Sequence, residues 1–180
     1  MNNKQLELFD FVAKKHGTQK RKYINNPYTD HLVEVADLVR PFDGDGLYLV
    51  ETALCHDLYE DTDCTRNELG SILRDLRYSE LGICAIQNAV TQLTDVFTPS
   101  DYPSMNRANR KKSEAIRLSK ALPAFQIQTV KCADIISNAM SIREHDPKFW
   151  KIYQKECSYK LKLFQKAQLE LVERASWVLF

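Results

Sequence analysis

The stretch Leu47-Tyr48-Leu49-Val50-Glu51-Thr52-Ala53-Leu54-Cys55-His56-Asp57-Leu58 decides the fold. Wound as a helix, it carries apolar side chains on nearly every side, and a helix apolar all round is a buried one. A buried helix must be covered, and helical spacing in the flanking sequence supplies the cover. Upstream, Tyr28, Leu32, Val35, Ala36 and Val39 follow the i, i+4, i+7 pattern, with Pro27 suited to the start of that helix and Pro41 to its end. Leu6, Phe9 and Val12 or Ala13 make a shorter first stripe. Downstream, residues 67–76 and 81–93 read as two further helices. Residues 95–109 hold two prolines with Thr, Ser and Asn and read as a loop. Residues 110–122 form a polar amphipathic helix, and 129–143 a second buried one. Residues 149–178 keep a 3.6 period as one long helix or two. No run alternates as a strand would, and no internal repeat is present. The expected class is all-α: one helical domain over residues 1–180, its core built by helix-on-helix packing.

Composition narrows the function. The 180 residues carry 25 Lys and Arg against 24 Asp and Glu, a formal charge of +1, so a global basic field for nucleic acid is excluded. No apolar run approaches the ~18 residues of a membrane span. Glu7 and Asp10 interrupt the apolar N-terminus, which does not read as a signal peptide, and the expected compartment is the cytoplasm. Cys55, Cys64, Cys84, Cys132 and Cys157 are odd in number and form no Cys-x-x-Cys pair. They read as buried, reduced thiols rather than a disulfide framework or a zinc ribbon.

Polar groups interrupt the apolar faces at a few places. His31 lies beside Val35 and Leu38 around its helix, at roughly +40° and −20°. His56 and Asp57 follow Ala53-Leu54-Cys55, and Asp134 sits among Val130, Ala133 and Ile135. A buried carboxylate without a partner costs several kcal/mol or takes up a proton. Singly, each of these residues reads as an ordinary hydrogen-bonded core or surface group. Together, two imidazoles and two carboxylates can surround one divalent cation that satisfies them all. Such a nitrogen–oxygen set suits manganese, iron or a related octahedral ion.

Four stretches resemble a known family, the HD phosphohydrolase superfamily, and within it the hydrolase domains of the Rel/Spo alarmone enzymes and their small stand-alone relatives. Ala13, His16, Gln19, Arg21 and Lys22 match A-x-x-H-x-x-Q-x-R-K. Pro27, Tyr28, His31, Val35 and Ala36 match P-Y-x-x-H-x-x-x-V-A. Ala53, Leu54, His56, Asp57, Glu60, Asp61 and Thr62 match A-L-L-H-D-x-x-E-D-T, and Val130, Lys131, Ala133, Asp134 and Asn138 match V-K-L-A-D-x-x-x-N. Most HD proteins lack the Glu60-Asp61 pair, so it is the most discriminating feature.

The resemblance implies that His31, His56, Asp57 and Asp134 ligate one metal ion, usually Mn2+, and that Glu60 and Asp61 flank the attacking water. It implies that Arg21, Lys22, Lys131 and Asn138 face a nucleotide. The implied reaction removes the 3′-pyrophosphate of ppGpp or pppGpp as pyrophosphate. The residues themselves agree with this chemistry. A divalent cation acidifies water and polarises a phosphoryl oxygen, and a nearby carboxylate can orient the water or move its proton. On a continuous helix Glu60 falls four residues past His56, and Asp61 four past Asp57, so both would stand behind the ligands. Lys131, Asp134 and Asn138 also share a helix face.

The basic run Lys14, Lys15, Lys20, Arg21 and Lys22 contains no acid and precedes the His31 helix. It lacks the interleaved aromatics of a nucleic-acid surface and can instead receive phosphates through Arg21 and Lys22. His16 reads as structural and Tyr28 as core with its hydroxyl at the site edge. Arg110 and Lys111, after the 95–109 loop, either reach the distal 5′-phosphates or form a solvated helix start. Leu32 and Ser137 depart from the family pattern, and neither is expected to bear on the metal. The hydrolase motifs and their helices occupy these 180 residues, so no Rel/Spo synthetase domain is expected and any activity is expected to be degradative. Two other readings stay open: an HD phosphatase acting on another 2′- or 3′-phosphorylated nucleotide such as ppApp or NADPH, and a non-catalytic nucleotide-binding module. The expected partner is a small nucleotide, without nucleic acid or membrane. No feature identifies a protein partner, such as the toxic alarmone synthetases that small relatives sometimes neutralise.

Overall fold

Side-chain caps open five of the ten α-helices in the computed structural model, which describes residues 1–180. Asn2 and Gln5 form a reciprocal capping box that opens α1 (Asn3–His16). Pro27 precedes α2 (Tyr28–Val39), which tightens into a 3-10 turn over Arg40–Phe42 containing Pro41. The buried α3 (Leu49–Cys55) is followed by the single turn α4 (Leu58–Asp61). A Thr65–Glu68 capping box opens α5 (Arg66–Asp75), and Ser79 caps α6 (Glu80–Leu93). Asn106 caps α7 (Arg107–Lys120), and α8 runs over Ala124–His145. Asp146 caps α9 (Pro147–Leu163), with Pro147 in its first turn, and α10 (Leu169–Leu179) ends the chain.

The long helix α8 is the axis, packed by α2, α3, α6, α7, α9 and α10. Buried residues from Leu8 in α1 to Leu179 in α10 belong to one hydrophobic cluster, so both C-terminal helices join the core that holds the motifs. The all-α expectation is borne out: the only strand-like pairing is an isolated bridge between Lys20 and Pro27. That bridge closes the 17–27 loop, with Arg21 N donating to Asn26 O and Tyr28 N to Gln19 O, and so holds the basic run against the start of α2.

Local geometry departs from the expected pattern in several places. The inward face of α1 is Gln5, Leu8, Val12 and His16, and Leu6 is 45% exposed. Residues 149–178 form two helices, because the chain turns between Leu163 and Leu169. Four cysteines are buried and none is bridged, but Cys84 is exposed. The expected helix over 47–58 starts later and stops early. Tyr48 adopts a left-handed conformation at φ 50°, and α3 ends at Cys55. Neighbouring residues on a regular helix point about 100° apart. Leaving the helix at His56-Asp57 (Asp57 φ −101°, ψ 2°) lets both side chains converge.

Tyr48 lies edge-on to Tyr78 and covers Gly82 of α6. A Cβ at Gly82 would meet the Tyr48 ring at 2.7 Å, well inside contact distance. Gly82→Ala is therefore expected to destabilise the fold by about 1–3 kcal/mol despite the better helix propensity of alanine. Thermal unfolding checks this, and an unchanged or higher Tm would contradict the packing.

Candidate metal centre

Three elements bring the two imidazoles and two carboxylates together. His31 comes from the first turns of α2, His56 and Asp57 from the break between α3 and α4, and Asp134 from the middle of α8. Ligand atoms of His31, His56 and Asp134 all lie within 4.8 Å of one another. Asp57 joins them, its Oδ2 standing 3.0 Å from His56 Nε2 and 3.6 Å from His31 Nε2. Asp134 Oδ1 lies 3.4 Å from His31 Nε2 and 3.9 Å from His56 Nε2.

The orientation of the rings is fixed from behind. His56 Nδ1 lies 2.6 Å from the carbonyl of Ala53, which can only accept, so Nδ1 carries the proton and Nε2 presents a lone pair. His31 Nδ1 lies 2.8 Å from Ser137 Oγ, whose own hydroxyl donates to Glu34 Oε2 at 2.6 Å. That hydroxyl therefore accepts from His31 Nδ1–H, which leaves Nε2 as the inward lone pair. Both Nε2 atoms are buried without a hydrogen-bond partner.

This donor set fits a divalent cation. Two ligand atoms each about 2.1 Å from one ion and at right angles are about 3 Å apart, close to the shorter separations here. Without added positive charge the inward lone pairs face carboxylate oxygens. Although burial opposes it, Asp134 and Asp57 raise the His31 imidazolium to about 9. Burial also works against ionising Asp134, yet the Lys131 ammonium and the two imidazoles hold its carboxyl far below the usual range. Lys131 Nζ sits 2.7 Å from Asp134 Oδ2, and the Asn138 amide donates to Asp134 Oδ1 at 2.5 Å. The Tyr28 hydroxyl donates to Asp57 Oδ2 at 2.6 Å, and His16 stacks on the Tyr28 ring at 5.1 Å. Lys131 and Asn138 thus flank the centre, and His16 and Tyr28 support it.

Glu60 and Asp61 take opposite sides of Asp57. The helix break removes the same-face relation expected for His56 with Glu60. Instead the amides of Glu60 and Asp61 both donate to Asp57 O. Glu60 accepts from Asp95 N at 3.2 Å, and its charge interacts with Asp95, Lys131 and Asp57. Desolvation first, and then the Asp95 carboxylate, raise its carboxyl above the usual value. Asp61 instead accepts from the Gln19 side-chain amide at 2.9 Å, on the Tyr28 side.

Two cavities open beside the centre. One, of about 210 Å³, is lined by Arg107, Lys111, Lys131, Asp134 and Lys160 among others. The second, of about 170 Å³, is lined by Arg21, Lys22, Tyr28 and His31 among others. Asn138, Ile142 and Phe149 line both. Lys22 reaches over the Phe149 ring from one cavity and Arg107 from the other. Arg21 is less free than its motif suggested: its guanidinium is buried, bonded to Glu34 at 2.8 Å and to the Ser137 carbonyl at 3.1 Å. Lys111 lines the first cavity while paired with Asp95. Arg110 instead turns back onto the Met105 carbonyl.

Sequence reading missed Ser137, Glu34, Phe149 and Lys160. Ser137 was set aside as a departure without bearing on the metal, yet it touches His31 directly. Its position three residues after Asp134 on the same buried helix was the available signal.

Known proteins resemble this chain as a whole. No family model matches the chain. The guanosine-3′,5′-bis(diphosphate) 3′-pyrophosphohydrolase MESH1 of Homo sapiens is 28% identical over 147 residues, 81% of this chain and 73% of the relative. The Xenopus tropicalis protein of the same name is 29% identical over the same shares. A solved structure described as a metazoan ortholog of SpoT that hydrolyzes ppGpp superposes with TM-score 0.76 at 19% identity. The superposition covers 99% of this chain and 94% of that one. The two chains share one helical fold. The resemblance drawn from the four motifs is borne out by these relatives. No helix is long and apolar enough to cross a membrane.

Asp57→Ala and Asp134→Ala are each expected to abolish stoichiometric Mn(II) binding measured on the purified protein. Ser137→Ala, which leaves the four donors intact, should weaken it about 10- to 100-fold. Unchanged affinity in Ser137→Ala would show that the His31–Ser137–Glu34 chain does not orient the imidazole.

Proposed function

We propose that this protein is a metal-dependent guanosine-3′,5′-bis(diphosphate) 3′-pyrophosphohydrolase, with His31, His56, Asp57 and Asp134 as ligands of one ion. The observation that carries the reading is the pair of buried, partnerless Nε2 atoms facing two carboxylates, with Glu60 beside them and a cation-lined cleft on either side. The MESH1 relatives carry this activity in their names. Manganese suits the mixed nitrogen and oxygen donors. The unbridged cysteines support a cytoplasmic setting, and the continuous core supports a single catalytic domain.

When bound, the ion supplies Lewis acidity, polarising a phosphoryl oxygen and acidifying water. The chain's own groups do the rest. A water oxygen attacks the phosphorus attached to the ribose 3′ oxygen, and the bond between them breaks. One water proton passes to the base, and the 3′ oxygen ends protonated, leaving GDP and pyrophosphate from ppGpp. Glu60 is the proposed base, because partial desolvation and Asp95 raise its carboxyl above the usual value, which makes it a better proton acceptor. Asp61 orients the site from the opposite side through Gln19. Lys131 and Asn138 hold Asp134 in place and present their remaining donor capacity to the substrate. Lys22, exposed at the mouth of the second cavity, contributes charge to the phosphates.

Glu60→Gln is expected to retain Mn(II) and lower kcat on ppGpp about 10²- to 10⁴-fold. Asp61→Asn should show a smaller loss, since its carboxylate is tied to Gln19. Near-normal turnover in both variants would remove them from the mechanism. Wild-type protein with Mn(II) should release pyrophosphate from ppGpp. Orthophosphate release, or turnover of NADPH alone, would contradict the assignment.

A further inference from the structure

The cavity between α7, α8 and α9 holds a cation that the fold itself does not neutralise. Arg107, Lys111, Lys131 and Lys160 all line it. Arg107 is bound by Glu156 through two contacts of 2.8 and 2.9 Å, Lys111 is paired with Asp95, and Lys131 is paired with Asp134. Glu156, Asp95 and Asp134 are therefore each engaged by another side chain, and Glu60 accepts from the Asp95 amide. Lys160 has no ion pair and no hydrogen-bond partner of its own. Its neighbours are Lys131, Lys111, Asp95 and the Cys157 thiol. Burial raises Cys157, so that thiol stays neutral and gives no counter-charge. Burial and the two nearby ammonium groups both disfavour the charge on Lys160. Lys160 is half-buried with its ammonium open to the cavity, so an anion entering there meets three ammonium groups, one of them without a counter-charge.

The position of Lys160 selects which anion. Phe149, Tyr153, Cys157 and Lys160 form one face of α9 at helical spacing and all line the cavity. Phe149 stands at the junction with the second cavity, and Lys160 lies about 16 Å further along the helix. Lys131 contacts Asp134 of the centre and also acts on Asp95, whereas Lys160 acts on Asp95 and has no contact with Asp134. A phosphate meeting Lys160 thus sits beyond Lys131, on the side of that lysine away from the ligand it touches.

We propose that Lys160, with Lys111 and Lys131 beside it, forms the subsite for the phosphate groups that are not cleaved, the 5′-diphosphate of the nucleotide. The identity of the whole substrate rests on the function proposed above, but the subsite is a claim about nucleoside 5′-diphosphates and is testable without turnover.

The test compares wild type, Lys160→Met and Lys160→Arg, all with Mn(II) bound. Binding of GDP and of guanosine is measured by calorimetry, and KM and kcat are measured for ppGpp and for guanosine 3′-diphosphate with a free 5′-hydroxyl. Loss of one charge-assisted contact should weaken GDP binding in Lys160→Met by roughly 10- to 100-fold. KM for ppGpp should rise by a similar factor. Guanosine binding, KM for the 5′-hydroxyl substrate and both kcat values should hold, and Lys160→Arg should recover much of the GDP affinity. In phosphate-free buffer the Tm of Lys160→Met should equal or exceed that of wild type, the reverse of what a structural lysine gives. Equal GDP affinity in wild type and Lys160→Met, or equal KM changes for both substrates, would overturn the subsite while leaving the hydrolase reading intact. Absence of ppGpp hydrolysis together with selective loss of GDP binding would overturn the hydrolase reading and uphold the subsite.

Discussion

Two carboxylates, Asp57 and Asp134, meet two imidazoles in the interior of a helical protein, and most of the architecture follows from making that encounter tolerable. Each Nε2 is turned inward by a bond at its Nδ1, and each carboxylate is held by at least one further donor: Tyr28 on Asp57, Lys131 and Asn138 on Asp134. Such a cluster is stable only with additional positive charge, whether a proton on His31 or a divalent ion among all four groups. The raised His31 and the depressed Asp134 express the same demand. The helices are arranged accordingly. The axis α8 brings Asp134, Ser137 and Asn138 to one place, and the break after α3 lets consecutive residues His56 and Asp57 face one centre.

The surroundings divide the labour around that centre. On one side, Arg21, Glu34 and Ser137 form a hydrogen-bonded chain that ends on His31, so a motif arginine that resembles a phosphate ligand spends its guanidinium on orientation. On the other side, Glu60 and Asp95 lead from the centre into the cavity where Lys111, Lys131 and Lys160 gather. A nucleotide bearing phosphate at both ends of its ribose matches this layout, with the metal end reactive and the far end held by charge.

Much of this was legible in the residues. The apolar run ending in His56-Asp57, the apolar flanks of His31 and Asp134, and the Glu60-Asp61 pair foreshadowed both the helical class and the meeting of these residues. What escaped were relations between elements that are distant in sequence. Ser137 had no signal of its own beyond helical spacing, because its importance lies in a hydroxyl meeting His31 across 106 positions of chain. Lys160 reads as one more helix-surface lysine until α7 and α9 close around it. The continuous helix expected through residues 56–61 failed for a physical reason: periodicity reports burial, and the chain leaves the helix to aim two polar neighbours at one point. Arg110 and Lys111, treated alike from sequence, separate in three dimensions, one onto a backbone carbonyl and one into the cleft.

The central claim is that the four converging side chains hold one divalent ion. Anomalous diffraction at the manganese edge from crystals grown with Mn(II) tests it most directly. The account predicts one strong peak about 2 Å from His31 Nε2, His56 Nε2, an Asp57 oxygen and an Asp134 oxygen. An ordered site showing no peak there, or manganese bound only elsewhere on the protein, would contradict it.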